Sequence, residues 1–191
     1  MSTCFVADGE LTLMERFRAG ETFAGLLKRT RDDGALWEAM YKRAGISDDA
    51  LARTGRLRRH WHLLILSEDW CGDSVNVLPY LARLKESTPR IELRIIGRDA
   101  NQDIMDAHAT DASRAIPVVI VLDDTFRERG WWGPRPGPLQ SWVRSEGLAL
   151  PKVERYRQMR TWYARDRGET LVAEILSIIE LAEGNDAKAA G

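Results

Sequence analysis

Ser67-Glu68-Asp69-Trp70-Cys71-Gly72-Asp73-Ser74 is the stretch on which the reading of this chain turns. The apolar run Leu63-Leu64-Ile65-Leu66 leads into it, and Val75, Leu78, Leu81 and Leu84 leave it at helical spacing. Cys71 therefore stands where a buried strand ends and a helix begins. The first amides of a helix lack partners, and the helix dipole places partial positive charge there. Both favour a thiolate over a thiol, so a cysteine at this junction is a candidate nucleophile. The carboxylate of Asp73 works against that preference, and the two influences oppose each other.

Outward from this stretch, residues 1–60 read as helices. Thr12 and Glu15 have capping-box spacing, and Phe23, Leu26 and Leu27 make an apolar stripe. Asp33 is a candidate cap for a helix whose Leu36, Trp37, Met40, Tyr41 and Ala44 share a face, and Ser47 caps the next. Residues 61–132 alternate between strand and helix: strands over 61–66, 91–96, 117–122 and 126–132, with helices after Cys71 and over 101–108. Gly130 to Pro138 is a glycine- and proline-rich loop that no helix can cross. Helices are expected over 139–146, 151–166 and 169–183. The division is a helical extension over 1–60, an α/β core over 61–147, added helices over 148–183 and a disordered tail over 184–191.

Trp70-Cys71-Gly72 after a strand, Pro79 inside the following helix and Pro117 opening the third strand together resemble the thioredoxin superfamily. The resemblance implies an α/β thioredoxin-like fold: a central mixed sheet with flanking helices, here with an N-terminal helical extension and extra C-terminal helices. It also implies a cis bond between Ile116 and Pro117 beside the active cysteine. Two departures bear on activity. Thioredoxins have a second cysteine where this chain has Ser74, and a buried acid upstream where it has Ile65.

The implied chemistry is thiol–disulfide exchange, or capture of oxidised thiols, through Cys71 alone. Without a local resolving thiol, Cys71 forms a mixed disulfide and cannot release it by itself. Ser74 either donates a hydrogen bond to the sulfur or fills the first helical turn. Trp70, Gly72, Asp73, Ile116, Pro117, Trp132 and Gly133 are expected to line the groove, and Arg135 to hold a carboxylate of glutathione or a peptide. The expected partners are proteins or small thiols and disulfides, glutathione among them. The alternative is a non-enzymatic binding module that presents the Trp131–Trp132 loop as a flat apolar surface, with Cys71 incidental. Cys4 reads either as a small apolar residue near a frayed end or as a resolving thiol for Cys71.

Composition limits the other classes. Lys and Arg number 28 and Asp and Glu 29, so no nucleic-acid partner is expected. The basic cluster Arg53, Arg56, Arg58, Arg59 with His60 reads as a solvated face. No apolar run approaches the roughly 20 residues of a membrane span, and the start lacks the basic-then-apolar order of a signal peptide. Two cysteines far apart make no disulfide framework, so a reducing, cytoplasmic compartment is expected. His60 and His62 share a strand face without a third ligand nearby, so neither metal nor cofactor is expected.

Overall fold

The computed structural model describes residues 11–30 and 34–189. Cys4 and Asp33 lie outside them. Four helices come first: α1 (Leu13–Ala19), α2 (Phe23–Arg29), α3 (Gly34–Arg43) and α4 (Asp48–Thr54). Polar caps set their starts. Thr12 and Glu15 form a full capping box on α1, Thr22 accepts from the Gly25 amide, and Ser47 from the Ala50 amide. Each such cap contributes about 1 kcal/mol by satisfying amides the helix cannot.

The sheet follows, built from β1 (Trp61–Ser67), β2 (Ile91–Gly97), β3 (Val118–Leu122) and β4 (Glu128–Trp132) in the order β2-β1-β3-β4. β1 and β2 are parallel, joined through helix α5 (Ser74–Glu86); β3 is antiparallel to both β1 and β4. Strand periodicity divides the core into two layers. Leu63, Ile65, Leu93, Ile95, Val119 and Val121 face α5 and the helices around it. Leu64, Leu66, Val118, Ile120 and Leu122 face the other way, against Phe17 of α1 and Ile104 and Met105 of α6 (Gln102–Ala107). Full burial of each such aliphatic side chain contributes about 1.5–3 kcal/mol.

The N-terminal helices share this core. Phe23, Leu26 and Trp37 pack into the first layer, and Glu21 exchanges both backbone hydrogen bonds with Ile95 at 2.9 Å. The chain closes with α7 (Gly137–Ser145), a 3-10 turn at Gly147–Ala149, α8 (Lys152–Asp166) and α9 (Glu169–Ala189). Leu171, Ile175 and Ile179 of α9 are buried against the sheet.

Two expectations are corrected here. The tail expected to be disordered from Gly184 is helical through Ala189. Its side chains explain why: Asp186 pairs with Arg129 at 2.6 Å and also with Arg59. Of the basic cluster expected as a solvated face, Arg56, Arg58 and His60 are exposed, whereas Arg53 and Arg59 dock α9. Arg53 pairs with Glu180 at 2.8 Å, and the buried Glu183 accepts from the Arg58 and Arg59 amides and the Trp61 indole. A buried carboxylate is tolerable only when its oxygens are so satisfied.

Candidate functional site

Cys71 lies between the end of β1 at Ser67 and the start of α5 at Ser74. Its amide donates to the Glu68 carbonyl at 3.2 Å, and its carbonyl accepts from the Val75 amide at 3.2 Å. That second bond has the helical i to i−4 pattern, so Cys71 sits at the helix entrance. Across from it, the Ile116–Pro117 peptide is cis, and the Cys71 thiol donates to the Ile116 carbonyl over 3.4 Å. Ile116 and Pro117 are themselves buried.

The sulfur is less open than the sequence suggests. Cys71 is 9% exposed and joins the second core layer with Ile104, Met105 and Ile116. Burial follows from the turn, which drops Cys71 toward the sheet while Trp70 and Gly72 on either side face solvent. Trp70 is 58% exposed, with the Arg98 guanidinium over its ring at 5.0 Å.

Ser74 is fully buried, and its hydroxyl accepts from Ser67 Oγ at 2.8 Å. Among the described residues it makes no hydrogen bond to Cys71; it ties the helix start to the strand end. Ile65 is core. Neither upstream acid replaces it, because Asp69 pairs with Arg29 at 3.1 Å and Glu68 accepts from the Asp99 amide at 3.3 Å.

Asp73 is the main surprise. It is buried, with Arg135 Nη2 at 2.6 Å from one oxygen and the Tyr163 hydroxyl donating to the other at 2.9 Å. Burial raises its carboxyl above the ordinary value, against the opposing pull of Arg135 and the Tyr163 hydrogen bond. Burial also lifts the Tyr163 phenol well above its ordinary value, and the charge of Asp73 and its hydrogen bond add to the rise. Arg135, expected to hold a ligand carboxylate, is therefore engaged within the protein, with Gln140 as a further partner at 3.0 Å.

The loop after β4 closes the site. A Cβ on Gly133 would lie 2.3 Å from the Pro117 carbonyl oxygen, and its φ of +143° is one that side chains rarely adopt. Only glycine lets this loop lie so close against Pro117. Trp132 is 7% exposed with its indole N–H on Glu174 at 2.5 Å, so the expected pair of surface tryptophans is reduced to Trp131, at 36%. Trp131 stands edge-on to His108 with ring centroids 5.5 Å apart.

Cys71 thus meets Ile116, and Gly133 lies against Pro117, while Ser74 and Asp73 are buried; Trp132 and Arg135 line a separate cavity with Trp131 and Gly133. Sequence reasoning missed Tyr163 and the role of Trp37. Trp37 is wholly buried and donates to the Asp69 carbonyl at 3.1 Å, fixing the approach to Cys71. The signal for Tyr163 is its i, i+4 spacing with Met159, the other buried residue of α8.

A family model described as Thioredoxin matches residues 20–151. The chain belongs to this thioredoxin family. The match takes in α2 to α4, so these helices belong to the family's common region and not only the core over 61–147. Among solved structures, a protein of unknown function from Pseudomonas aeruginosa is 26% identical, covering 91% of this chain and 99% of that one with a TM-score of 0.74. An HIV epitope-scaffold at 24% identity, covering 89% and 98%, shares the fold with a TM-score of 0.72. No curated protein matches this thioredoxin-family chain. Among the described residues no group of His, Cys, Asp and Glu could hold a metal ion, and no helix is long and apolar enough to cross a membrane.

Proposed function

We propose that this thioredoxin-family protein performs thiol–disulfide exchange through a single cysteine, Cys71. The observation that carries the reading is the contact of the Cys71 thiol with the Ile116 carbonyl, at a helix entrance and beside Pro117. In the first step Cys71 gives up its proton and attacks one sulfur of a disulfide. A Cys71–sulfur bond forms, the substrate S–S bond breaks, and the departing thiolate takes up the proton. With Ser74 in place of a resolving thiol, the mixed disulfide persists until a second thiol attacks it, regenerating Cys71 and leaving a new disulfide. The substrates are protein or small disulfides, glutathione disulfide among them. A cytoplasmic setting supplies the second thiol from its reduced pool.

The test is incubation of the folded protein with glutathione disulfide, followed by intact mass and peptide mapping. One glutathione on Cys71, absent in Cys71→Ala and removed by added thiol, is expected. A folded protein modified only elsewhere sinks the reading. The second reading, a binding module presenting Trp131, is favoured by the 9% exposure of Cys71. It prevails if Cys71 reacts only after unfolding.

A further inference from the structure

A cavity of about 390 Å³ opens beside the active-site turn, between α3, the first turns of α5, and α8. That volume lies within the range of small-molecule sites. Its walls are apolar: Val75, Tyr80 and Met159 are buried, and Met40 completes them. Two thioethers and an aromatic ring make an adaptable surface for a hydrocarbon or aromatic body.

Basic side chains outnumber acids in its lining, where Asp73 is the one carboxylate. Arg43, Arg160 and Arg167 all line the cavity, and among the described residues none of the three is in an ion pair. Burial pushes the Tyr80 phenol up; the charges of Arg43 and Arg167 oppose that shift, and Asp166 adds to it. Two acids nearby have partners within the protein. Asp73 is held by Arg135, and Asp166 accepts from the Thr170 amide at 3.3 Å. Glu169 borders an adjoining cavity of about 280 Å³ that shares Arg43, Tyr80 and Arg167 with this one, which leaves Arg160 as the arginine facing this cavity alone.

We propose that this cavity binds a small apolar carboxylate. The body sits among Met40, Val75, Tyr80 and Met159, and the carboxylate among Arg43, Arg160 and Arg167. An apolar wall removes the hydrocarbon from water, and guanidiniums at the mouth match a carboxylate with paired donors. A neutral molecule would leave the arginines unused, and a cation would be repelled. The site is independent of Cys71 chemistry, although Gly72 and Asp73 form part of its wall.

The experiment is calorimetric titration of the full chain with decanoate, decanol and decyltrimethylammonium below their aggregation concentrations. Decanoate is expected to bind one to one, at least several-fold tighter than decanol, with decyltrimethylammonium not binding. Arg43→Gln and Arg160→Gln, both at exposed positions, should each weaken decanoate roughly two- to five-fold. Ala164 is exposed on α8 and lines the cavity, so Ala164→Trp should fill it and abolish binding in a protein whose circular dichroism is unchanged. No binding of decanoate overturns the proposal. So does equal binding of decanoate and decanol, or decanoate binding indifferent to all three variants.

Discussion

Arg135 Nη2 lies 2.6 Å from Asp73 Oδ2, with the two side chains only 17% and 8% exposed. This ion pair fastens the loop after β4 to the turn that carries Cys71. Removing one partner of a buried pair leaves an uncompensated charge. Arg135→Met is therefore expected to cost about 3–5 kcal/mol in chemical denaturation. Adding Asp73→Asn should recover a large part of that loss, since the amide oxygen still accepts from Tyr163. An Arg135→Met protein as stable as the parent would show that the pair is not closed in solution.

Gly133 and Pro117 set the second expectation. Any Cβ at 133 meets the Pro117 carbonyl at 2.3 Å in a backbone conformation that already disfavours side chains. Gly133→Ala should lose about 3 kcal/mol or more from strain and displaced backbone. Gly72, where an added Cβ would meet nothing within 4 Å, provides the control. Gly72→Ala should stay within about 1 kcal/mol of the parent. Thermal melts of both variants decide, and equal losses would contradict the close approach.

His108 supplies a pH dependence. Burial opposes its charge, but Glu128 at 3.1 Å and the Ile104 carbonyl at 2.7 Å accept from its two ring nitrogens and prevail. Its pKa consequently lies above the ordinary histidine value. The folded state thus binds the proton more tightly than the unfolded chain. The stabilisation is complete below the unfolded value of about 6.5 and is lost as pH rises through the higher folded value. Melting temperature followed upward from about pH 5.5 should fall more in the parent than in Glu128→Gln. Parallel curves for the two proteins would remove the His108–Glu128 pair from the account.

Ser74→Cys probes the active-site turn. Position 74 is buried one turn along from Cys71, and the change removes the Ser67–Ser74 hydrogen bond, a loss of about 1 kcal/mol. The introduced thiol is expected to oxidise with Cys71, read as loss of two hydrogens in the intact mass and a cross-linked peptide joining Cys71 to position 74. It should also gain dithiol-dependent reduction of a generic disulfide, modestly, because Ile65 leaves no acid on the strand before the turn and the buried Asp73 is held by Arg135 and Tyr163. If the variant folds and its two thiols never pair, the turn does not bring these positions together.

The strands, most helices and the place of Cys71 at a strand–helix junction were legible in the sequence by itself. Those features rest on local patterns: the apolar run within Trp61–Ser67, helical spacing after Ser74, capping at Thr12 and Ser47. Their energetics come from neighbours within a few residues, so a single stretch carries the signal. What only the tertiary structure decided is which polar groups are taken. Asp73 is held by Arg135 and Tyr163, Ser74 is turned to Ser67, Trp132 is anchored on Glu174, and Asp186 keeps the last turns of α9 on the sheet. Each of these pairings joins residues from different elements. A charged or polar side chain looks the same in sequence whether solvent or a distant partner satisfies it, and only folding brings the partner into hydrogen-bonding range.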